Sequence, residues 1–390
     1  MRARRSKPAG AGLVMICDVD LREADATRVH TLEVARGFAA EGLDVDLLCR
    51  GPDPEIPGIR YARAVGTDHQ RIRRLASLNA QTVRLLWQRR TSARRLYVRH
   101  NWTILVALVL GRALGYRIVT QVDDVPYGRG YEVDISPAAD YVKRGAALIM
   151  GQLAHGIVAV TPQIKRLLVE LFKVPPERVA VLPNGVDVEF FHPLPRSEAL
   201  ARLGLDPGLR YIVFVGNFAS WVDFDTILDS FALVGVTRPD ARLILVGDGS
   251  ERARVGRRIR GLGIEDRVTI TGVVREREKV RDYVAAATVA LAAHRREHCA
   301  RIGVSPVKVA EYMAAGRGVV AIDVPGLPET LVQAGAGRVV SPDPAAMSAA
   351  IAERLEDDRA DQLGVRARRL AEERFAWRMI VRRTLPLFGI

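Results

Sequence analysis

The chain has 390 residues, 48% of them hydrophobic and 6% aromatic, and its formal net charge is +13. This length exceeds one ordinary hydrophobic core and the apolar content excludes an intrinsically disordered chain, so we expect a soluble α/β protein of two domains. The 58 basic residues are mostly arginines without interleaved aromatic residues or a nucleic-acid-binding motif, so nucleic acid is not an expected partner.

Cysteine content and hydropathy indicate a reducing compartment. Cys17, Cys49 and Cys299 are few, odd in number and far apart, which favours buried thiols over a disulfide framework. The basic start, Met1–Gly10, lacks a following signal-type apolar stretch. The longest apolar run, Trp102–Gly111, is far shorter than the roughly 20 residues that span a bilayer. We therefore predict a cytoplasmic protein, at most peripheral to the inner face of the membrane.

The first half of the chain alternates short β-rich runs with helical patterns. A helix is predicted over Arg28–Glu41. Strands are predicted at Leu13–Cys17, Asp44–Cys49, Leu96–Arg99, Arg117–Val122 and Gly156–Val160. Alternation without hairpin turns is typical of a parallel sheet covered by helices on both faces.

A break follows this half at Pro183–Gly185, and Pro193 and Pro195 stiffen the chain after it. The alternation then restarts. Helices are predicted over 226–234, 251–262 and 306–315, and strands over 211–215, 242–246, 268–271, 289–292 and 319–322. Two such domains would face each other across a central cleft, with ligands at the carboxyl ends of the strands.

The stretch Ser305–Gly316 carries the clearest chemistry. Ser is a favourable N-cap, Pro suits the first helical position and Gly suits the position after the last turn, so a helix beginning at Pro306 is predicted. Its first turn offers free amide donors, above all those of Val307 and Lys308, and a positive dipole end, which together bind phosphate. Lys308 is unfavourable there unless an anion binds or solvent covers it. Glu311, on the same helix face, is placed to accept hydrogen bonds from two ribose hydroxyls.

Five motifs occur along the chain in this order: Val181–Asp187 (VLPNGVD), Val246–Gly249 (VGDG), Thr271–Val274 (TGVV), the Ser305–Gly316 helix and Gly326–Glu329 (GLPE). Together they resemble the retaining GT-B glycosyltransferases of the group 1 and family 4 type, and the S-P-x-K-x-x-E-Y-M-A-A-G helix resembles one subgroup of these. The resemblance implies hexosyl transfer from a nucleotide-sugar donor with retention, without a metal or other cofactor. It implies three segments: an acceptor-binding Rossmann-like domain over 1–195, a nucleotide-sugar-binding Rossmann-like domain over 196–372, and a helix over 373–390 that packs back on the first domain.

Two departures from the family pattern concern the donor phosphates. The family often has two glutamates separated by seven residues; Glu311 fits the second, but Gly303 stands at the first. The loop after the first strand of the second domain usually carries Lys-Gly, where this sequence has Val222 and Asp223. The cation that neutralises the leaving diphosphate is therefore missing from that loop, and Lys308 is the expected replacement.

The predicted catalytic residues on the donor side are Lys308, Glu311 and, as a second cation, Arg301. His294 and His298 only superficially resemble metal ligands, and no metal is expected. The predicted donor-binding residues are Gly216, Asn217, Gly247, Asp248, Val273, Val274, His294, Gly303, Val304, Ser305, Val307, Lys308 and Glu311.

The acceptor site is predicted in the first domain, where the loops after the strands at 13–17 and 117–122 are acidic. Acidic loops in a basic protein favour a small cationic acceptor, such as an aminocyclitol or amino sugar of a natural-product pathway. Capping and turn aspartates on the surface explain the same residues equally well. Asp123 is also a candidate base. The predicted acceptor-binding residues are Asp18, Asp20, Asp25, His30, Asp123, Asp124 and Asn184.

Residues 71–95 support a different acceptor. They hold eight arginines and no acid, with Leu75, Leu85 and Trp87 among them. A basic amphipathic helix is typical of contact with an anionic membrane, which would favour a lipid-linked or glycan acceptor; a solvated helix in an arginine-rich protein is the simpler interpretation. A third hypothesis is a non-catalytic homologue that binds sugar nucleotides.

Overall fold

The computed structural model describes residues 12–23, 26–67, 69–99, 102–123, 145, 147–327, 331–332, 335–356 and 360–390. The chain divides into two compact units: unit 1 is residues 1–184 with 377–390, and unit 2 is residues 185–376. Each contains one parallel sheet. The predicted pair of parallel α/β domains is therefore confirmed.

Unit 1 is built on a seven-stranded sheet in the order β3-β2-β1-β4-β5-β6-β7, with every pair parallel. The strands are β1 (Gly12–Asp20), β2 (Asp44–Arg50), β3 (Ile59–Ala64), β4 (Ala93–Arg99), β5 (Arg117–Val122), β6 (Gly156–Ala159) and β7 (Val179–Val181). Its helices are α1 (Ala26–Ala40), α2 (Arg71–Arg89), α3 (Leu105–Ala113) and α4 (Pro162–Phe172). Alternate side chains of β1 belong to two separate hydrophobic clusters, Leu13 and Met15 to one and Val14 and Ile16 to the other. One cluster lies on each face of the sheet, so both faces are covered.

Unit 2 repeats this plan with six parallel strands in the order β10-β9-β8-β11-β12-β13. The strands are β8 (Arg210–Val215), β9 (Ala241–Val246), β10 (Val268–Gly272), β11 (Val289–Ala292), β12 (Val319–Ile322) and β13 (Gly337–Val340). The helices are α5 (Arg196–Leu203), α6 (Phe224–Thr237), α7 (Arg252–Leu262), α8 (Arg277–Ala286), α9 (Arg296–Cys299), α10 (Val307–Ala314), α11 (Pro344–Glu356) and α12 (Ala360–Leu370).

The sequence patterns did not predict β3, β7 and β13. All three lie at an edge of their sheet and are only partly buried. An edge strand has one neighbour and can keep polar side chains in water, so it carries neither the apolar run nor the alternation that identifies a central strand.

The last helix, α13 (Trp377–Thr384), belongs to unit 1 and packs on α1. The ring of Trp377 meets that of His30 edge-on at a centroid distance of 4.8 Å. Val381 packs where a side chain on Gly37 would stand, since a Cβ there would lie 2.5 Å from Val381 Cγ2. The chain therefore returns to its first unit, the arrangement that the family resemblance implied.

The chain first crosses from unit 1 to unit 2 after Asn184, whereas the sequence predicted this domain boundary after residue 195. The Val186 amide donates to the Phe375 carbonyl at 2.7 Å. The Arg368 guanidinium donates to the carbonyls of Val188 and Phe191, both at 2.7 Å. These bonds attach the segment after Asn184 to unit 2.

Each sheet has one point at which the strand order reverses, between β1 and β4 in unit 1 and between β8 and β11 in unit 2. Ligands of open α/β sheets bind at the carboxyl ends of the strands beside such a reversal. The residues that follow these strands are therefore the first candidates for a site. Within the described residues, no helix is both long and apolar enough to cross a membrane.

Candidate functional site

Helix α10 begins one residue later than the sequence predicts. Its first helical residue is Val307, because Pro306 keeps an extended backbone (φ −76°, ψ 117°) and itself occupies the N-cap position, without a side-chain cap. Ser305 is therefore not the N-cap. The helix ends as predicted: Gly316 has φ +66°, and the amides of Gly316 and Arg317 donate to carbonyls of the last turn, both at 2.9 Å.

One buried hydrogen bond ties α10 to the central strand of unit 2. The Val215 amide, at the end of β8, donates to the Tyr312 hydroxyl at 2.8 Å. Tyr312 is fully buried, as are Met313 and Ala314 beside it. The start of the helix is thereby held at the reversal point of the sheet, where its first-turn amides lack intrahelical acceptors.

The Lys308 ammonium lies in this corner. Its Nζ is 4.1 Å from the centre of the Phe214 ring, and a Cβ on Gly216 would approach it to 2.6 Å. Gly216 also has φ +150°, so both its backbone and the space beside it require glycine. Burial lowers the pKa of Lys308 to about 8, although Glu311 opposes the shift. The lysine is thus partly desolvated and held against the end of β8.

Three glycines close the ends of β8, β9 and β10 around this lysine. Gly247 has φ +137°, and a Cβ on it would lie 2.0 Å from the Gly216 carbonyl oxygen. The Gly247 amide donates to the Gly272 carbonyl at 3.1 Å. The backbone itself is therefore the surface beside Lys308, as in sites where a phosphate approaches closely.

Two predicted donor residues have local structural partners. The Asp248 carboxylate accepts from the Gly249 amide at 2.8 Å and from the Arg252 guanidinium at 3.0 Å. Asn217 Oδ1 lies 2.3 Å from where a Cβ of Gly249 would stand, so its amide group packs on the same glycine loop. Both residues shape the loop next to Gly247.

Glu311 is one helical turn beyond Lys308 and half-buried. Burial raises its pKa to about 7, and the charges of Arg277 and Lys308 only partly oppose this. Sequence reasoning missed Arg277, which begins α8. Its guanidinium lies 4.3 Å from the centre of the Phe190 ring and 3.9 Å from the Asp187 carboxylate. Arg277 follows the predicted donor-binding residues Val273 and Val274 by a few positions, and this closeness in sequence could have identified it.

His294 follows β11 and is buried, with 8% of its surface exposed. Its Nδ1 has no hydrogen-bond partner in the described part of the chain. Burial, with Lys308 and His298 nearby, lowers its pKa to about 3, so the ring is neutral at neutral pH. The nearby Arg301 is exposed on the surface.

The two residues at the Lys-Gly positions have structural roles. Val222 is buried and pairs with His294 through main-chain groups. Asp223 caps α6, accepting from the Thr226 amide at 3.2 Å and from its hydroxyl at 2.8 Å. Neither supplies a cation, which leaves Lys308 as the positive side chain packed against Gly216.

The remaining predicted donor residues line the approach to α10. Gly303 is buried with φ +67°, and the Val304 amide donates to the Pro325 carbonyl at 3.0 Å. Ser305 and Val307 are half-buried, and Val273 is 63% exposed. Pro328 and Glu329, the end of the last motif, lie outside the described residues.

In unit 1 the predicted acceptor aspartates are paired with arginines. Asp18 accepts from Arg50 at 3.0 Å and lies 3.6 Å from Arg74. Asp20 accepts from Arg22 at 2.6 Å and from Arg50 at 3.3 Å, and the Arg22 hydrogen bond chiefly lowers its pKa. Asp18 and Asp20 therefore do not present the uncompensated negative charge that the sequence suggested for this edge.

Asp123, after β5, is held on both oxygens. Arg99 Nε donates to Oδ2 at 2.5 Å, and Gln121 Nε2 donates to Oδ1 at 2.6 Å. Burial acts to raise the pKa of Asp123, but Arg99, His30 and Gln121 outweigh it and hold the pKa below its ordinary value. Its orientation is fixed and its basicity is reduced.

His30 belongs to the same buried network. Its Nε2 lies 2.8 Å from Gln121 Oε1, which also accepts from the Tyr97 hydroxyl. Burial, with Arg99, lowers the pKa of His30 to about 4, while Asn184 acts in the opposite direction. Asp25 and Asp124 lie outside the described residues. Gln121, Tyr97, Arg50, Arg74 and Arg99 were not predicted, since most of their partners are distant in sequence.

Comparison with known proteins agrees with this architecture. Residues 27–190 match the family model described as Glycosyltransferase Family 4, and residues 210–357 match the model described as Glycosyl transferases group 1. These two parts of the chain are therefore similar to domains of the two glycosyltransferase families, in agreement with the resemblance that the motifs indicated.

One relative is the D-inositol 3-phosphate glycosyltransferase of Thermobispora bispora, 32% identical over 237 residues. That alignment covers 58% of this chain and 53% of the relative, so the chain matches about half of the relative's length.

Two solved structures show the fold. Sucrose-phosphate synthase from Thermosynechococcus elongatus is 20% identical, with a TM-score of 0.76 over 97% of this chain and 98% of that one. Anabaena Alr3699/HepE in complex with UDP-glucose is 15% identical, with a TM-score of 0.74 over 97% and 99%. These likenesses confirm the predicted GT-B fold.

We predict that Glu311→Gln makes stability less sensitive to pH. The pKa of Glu311 is about 7 in the folded chain and near 4.5 ordinarily, so between these values the folded state holds a proton that the unfolded state has lost. The wild type must then lose stability as pH rises from about 4.5 to about 7. The variant lacks this loss, so its melting temperature should rise relative to wild type across that window, measured by thermal denaturation.

Glu278→Gln, at an exposed glutamate on α8, is the matched control and should follow the wild type. A Glu311→Gln difference that stays constant across the window would contradict the raised pKa.

Proposed function

We propose that this chain, built from a Family 4 and a group 1 glycosyltransferase domain, transfers a hexosyl group from a nucleoside diphosphate sugar to a small polar acceptor with retention. The observation that carries the proposal is the Lys308 ammonium packed against Gly216, at the start of α10 and the reversal point of the unit 2 sheet. A diphosphate matches the combination of a cation, first-turn amides and exposed glycine backbone.

The charge states of α10 suit a ligand that carries both phosphate and ribose. Lys308, with a pKa near 8, gains from a diphosphate, which favours its charged form. Glu311, with a pKa near 7, gains from two hydroxyl donors, which favour its ionised form. Both pKa shifts reflect buried charges that destabilise the unliganded helix. One bound nucleotide would stabilise the charged forms of both side chains.

In the proposed reaction the bond between the anomeric carbon and the β-phosphate oxygen breaks, and the diphosphate leaves with the electron pair. The acceptor hydroxyl oxygen forms the new bond on the same face of the sugar. Lys308 and the first-turn amides of α10 stabilise the charge that develops on the leaving oxygen, without need of a metal ion.

The acceptor proton passes to that leaving oxygen in this proposal. Asp123 is a poorer base than an ordinary carboxylate, because Arg99 and Gln121 engage both its oxygens and its pKa is lowered. We assign Asp123 to acceptor orientation.

We predict that Lys308→Ala lowers kcat by about a hundredfold or more, while the Kd for the nucleoside diphosphate rises much less. The reason is that the ammonium acts most strongly on charge that exists only in the transition state. Turnover is measured as nucleotide release with and without acceptor, in the presence of EDTA, and binding by calorimetry with UDP, GDP, ADP and dTDP.

Lys279→Ala, at an exposed lysine on α8, is the control and should behave as wild type. Equal and small losses of turnover and binding in Lys308→Ala would refute the catalytic role. Nucleotide binding without turnover of any donor by the wild type would instead favour the non-catalytic homologue.

The acceptor in this proposal is a phosphorylated polyol. Three described aspartates at the unit 1 edge, Asp18, Asp20 and Asp123, are matched by four arginines. These pairs neutralise the three aspartates, and the half-exposed Arg22 can meet an anionic acceptor, which we favour over the aminocyclitol predicted from the acidic loops. A D-inositol 3-phosphate glycosyltransferase among the relatives supports this choice.

We predict that an inositol phosphate is used with a kcat/KM about tenfold or more above that of unphosphorylated inositol, an advantage of roughly 1.4 kcal/mol. Arg22→Gln should reduce this ratio, because Arg22 is the most exposed of the four arginines, and Arg383→Gln on α13 should leave it unchanged. Preferential use of an aminocyclitol would overturn the proposal and restore the cationic acceptor.

A second candidate function, transfer at an anionic membrane surface, is favoured by one face of α2. Ile72, Val83 and Trp87 are 86%, 46% and 55% exposed, and Ala76 and Ala80 are exposed between them. These spacings of three and four residues form one continuous apolar stripe, opposite the buried face of the helix. The helix itself has no acidic residue, and although Arg74 and Arg89 pair with Asp18 and Asp46, its exposed Arg73 and Arg84 would meet anionic headgroups.

If this candidate holds, the chain co-sediments with phosphatidylglycerol vesicles at low salt and not with phosphatidylcholine vesicles. Ile72→Ser with Trp87→Ser should abolish this, because both insert apolar surface below the headgroups. Val236→Ser, at an 82% exposed valine in unit 2, is the matched control. Absence of wild-type binding at low salt removes the membrane candidate and leaves the soluble acceptor.

A further inference from the structure

The loop that begins at Gly216 ends in an exposed aromatic pair. Trp221 has 41% of its surface exposed. Its ring stacks on that of His298, with centroids 5.6 Å apart and planes inclined by 23°. Burial lowers the pKa of His298, so the supporting ring is neutral at neutral pH. One face of a large aromatic ring is thus supported from behind by a second flat ring.

Main-chain pairing holds this aromatic pair in place. The Arg295 amide donates to the Trp221 carbonyl at 2.8 Å, and the Asp223 amide donates to the Ala293 carbonyl at 3.2 Å. Val222, between these two bonds, is buried. The Val222 amide donates to the Ala219 carbonyl at 3.0 Å and closes a turn that contains Trp221, so Trp221 stays exposed while Val222 enters the core.

The aromatic pair adjoins the Lys308 corner. Gly216, at the start of the loop, contacts the Lys308 ammonium, and Val222, near its end, pairs with His294. The buried Nδ1 of His294 has no hydrogen-bond partner among the described residues. A buried polar atom of this kind is normally satisfied, here by a group that the described residues do not supply.

We infer that Trp221, supported by His298, is the platform on which the glycosyl ring of the donor lies, and that His294 Nδ1 hydrogen-bonds to a hydroxyl of that ring. This inference rests on the proposed function and deepens it. Neither Trp221 nor His298 belongs to the predicted set of donor residues, and the loop that carries Trp221 lacks the usual Lys-Gly.

The chemistry of a pyranose fits this arrangement. One face of the ring presents C–H groups and its rim presents hydroxyls, so an aromatic plane matches the face and a buried imidazole nitrogen matches the rim. The nucleoside is assigned to the other end, since Glu311 lies one turn beyond Lys308 on α10. The glycosyl ring is bonded to the phosphate that Lys308 faces, which leaves the Trp221 side of the corner for the sugar.

The test compares affinities for UDP and UDP-glucose, or the corresponding GDP or ADP pair if that nucleotide is the one bound, by calorimetry. Trp221→Leu should weaken nucleotide-sugar binding about three- to tenfold and leave nucleoside diphosphate binding within about twofold, because only the sugar contacts the indole. Trp221→Phe should retain most of the sugar's contribution, since it keeps an aromatic face. Unchanged nucleoside diphosphate binding also shows that unit 2 is folded.

Val236→Ala, at an 82% exposed valine on α6, is the control and should leave both affinities unchanged. Equal losses for nucleotide and nucleotide sugar in Trp221→Leu, or no loss for either, would overturn the platform while the proposed function stands. Failure of the wild type to bind any nucleoside diphosphate would overturn the proposed function together with the platform.

Discussion

The partly desolvated Lys308 ammonium, held against the backbone of Gly216, is the contact on which the rest of the donor side depends. It requires a glycine at the end of β8, a second glycine at the end of β9 that packs on the first, and a helix fixed by Tyr312 to the same strand. A cation in the first turn of a helix opposes the helix dipole, and burial adds to this cost. The arrangement therefore destabilises the folded chain without an anion and becomes favourable when an anion binds, which is the property expected of a phosphate site.

The two units differ in whether their charged side chains have partners of opposite charge. In unit 2 the charged groups of α10 are left partly unsatisfied, as the displaced pKa values of Lys308 and Glu311 show. In unit 1 the described aspartates Asp18, Asp20 and Asp123 are paired with arginines, and Asp123 is fixed from both sides. Unsatisfied groups gain most from a ligand, whereas paired groups provide a rigid surface of defined shape and charge. This contrast leads us to assign charge stabilisation to unit 2 and acceptor orientation to unit 1.

Two residues that depart from the family pattern explain how the loop after β8 differs from the loop that is usual in the family. Val222 and Asp223 occupy positions where the family usually has a cation, and the structure uses them as a core residue and a helix cap. Their neighbour Trp221 is exposed in the turn that precedes them, and its carbonyl accepts from the Arg295 amide in the segment after β11. Loss of a cation and exposure of an aromatic plane are thus two results of one local backbone arrangement.

The sequence by itself determined the two parallel α/β domains, the helix that carries Lys308 and Glu311, and the glycine at its end, because these depend on local periodicity and on residues close together in the chain. The sequence did not predict the edge strands β3, β7 and β13, since they lack a core-facing pattern. Only the tertiary structure decided which charges are available to a ligand. Asp18 meets Arg50 from another strand, Asp123 meets Arg99, and Trp221 meets His298, and no local pattern encodes such partners. Pairing of this kind depends on strand order and loop geometry, which arise only when the whole sheet has assembled.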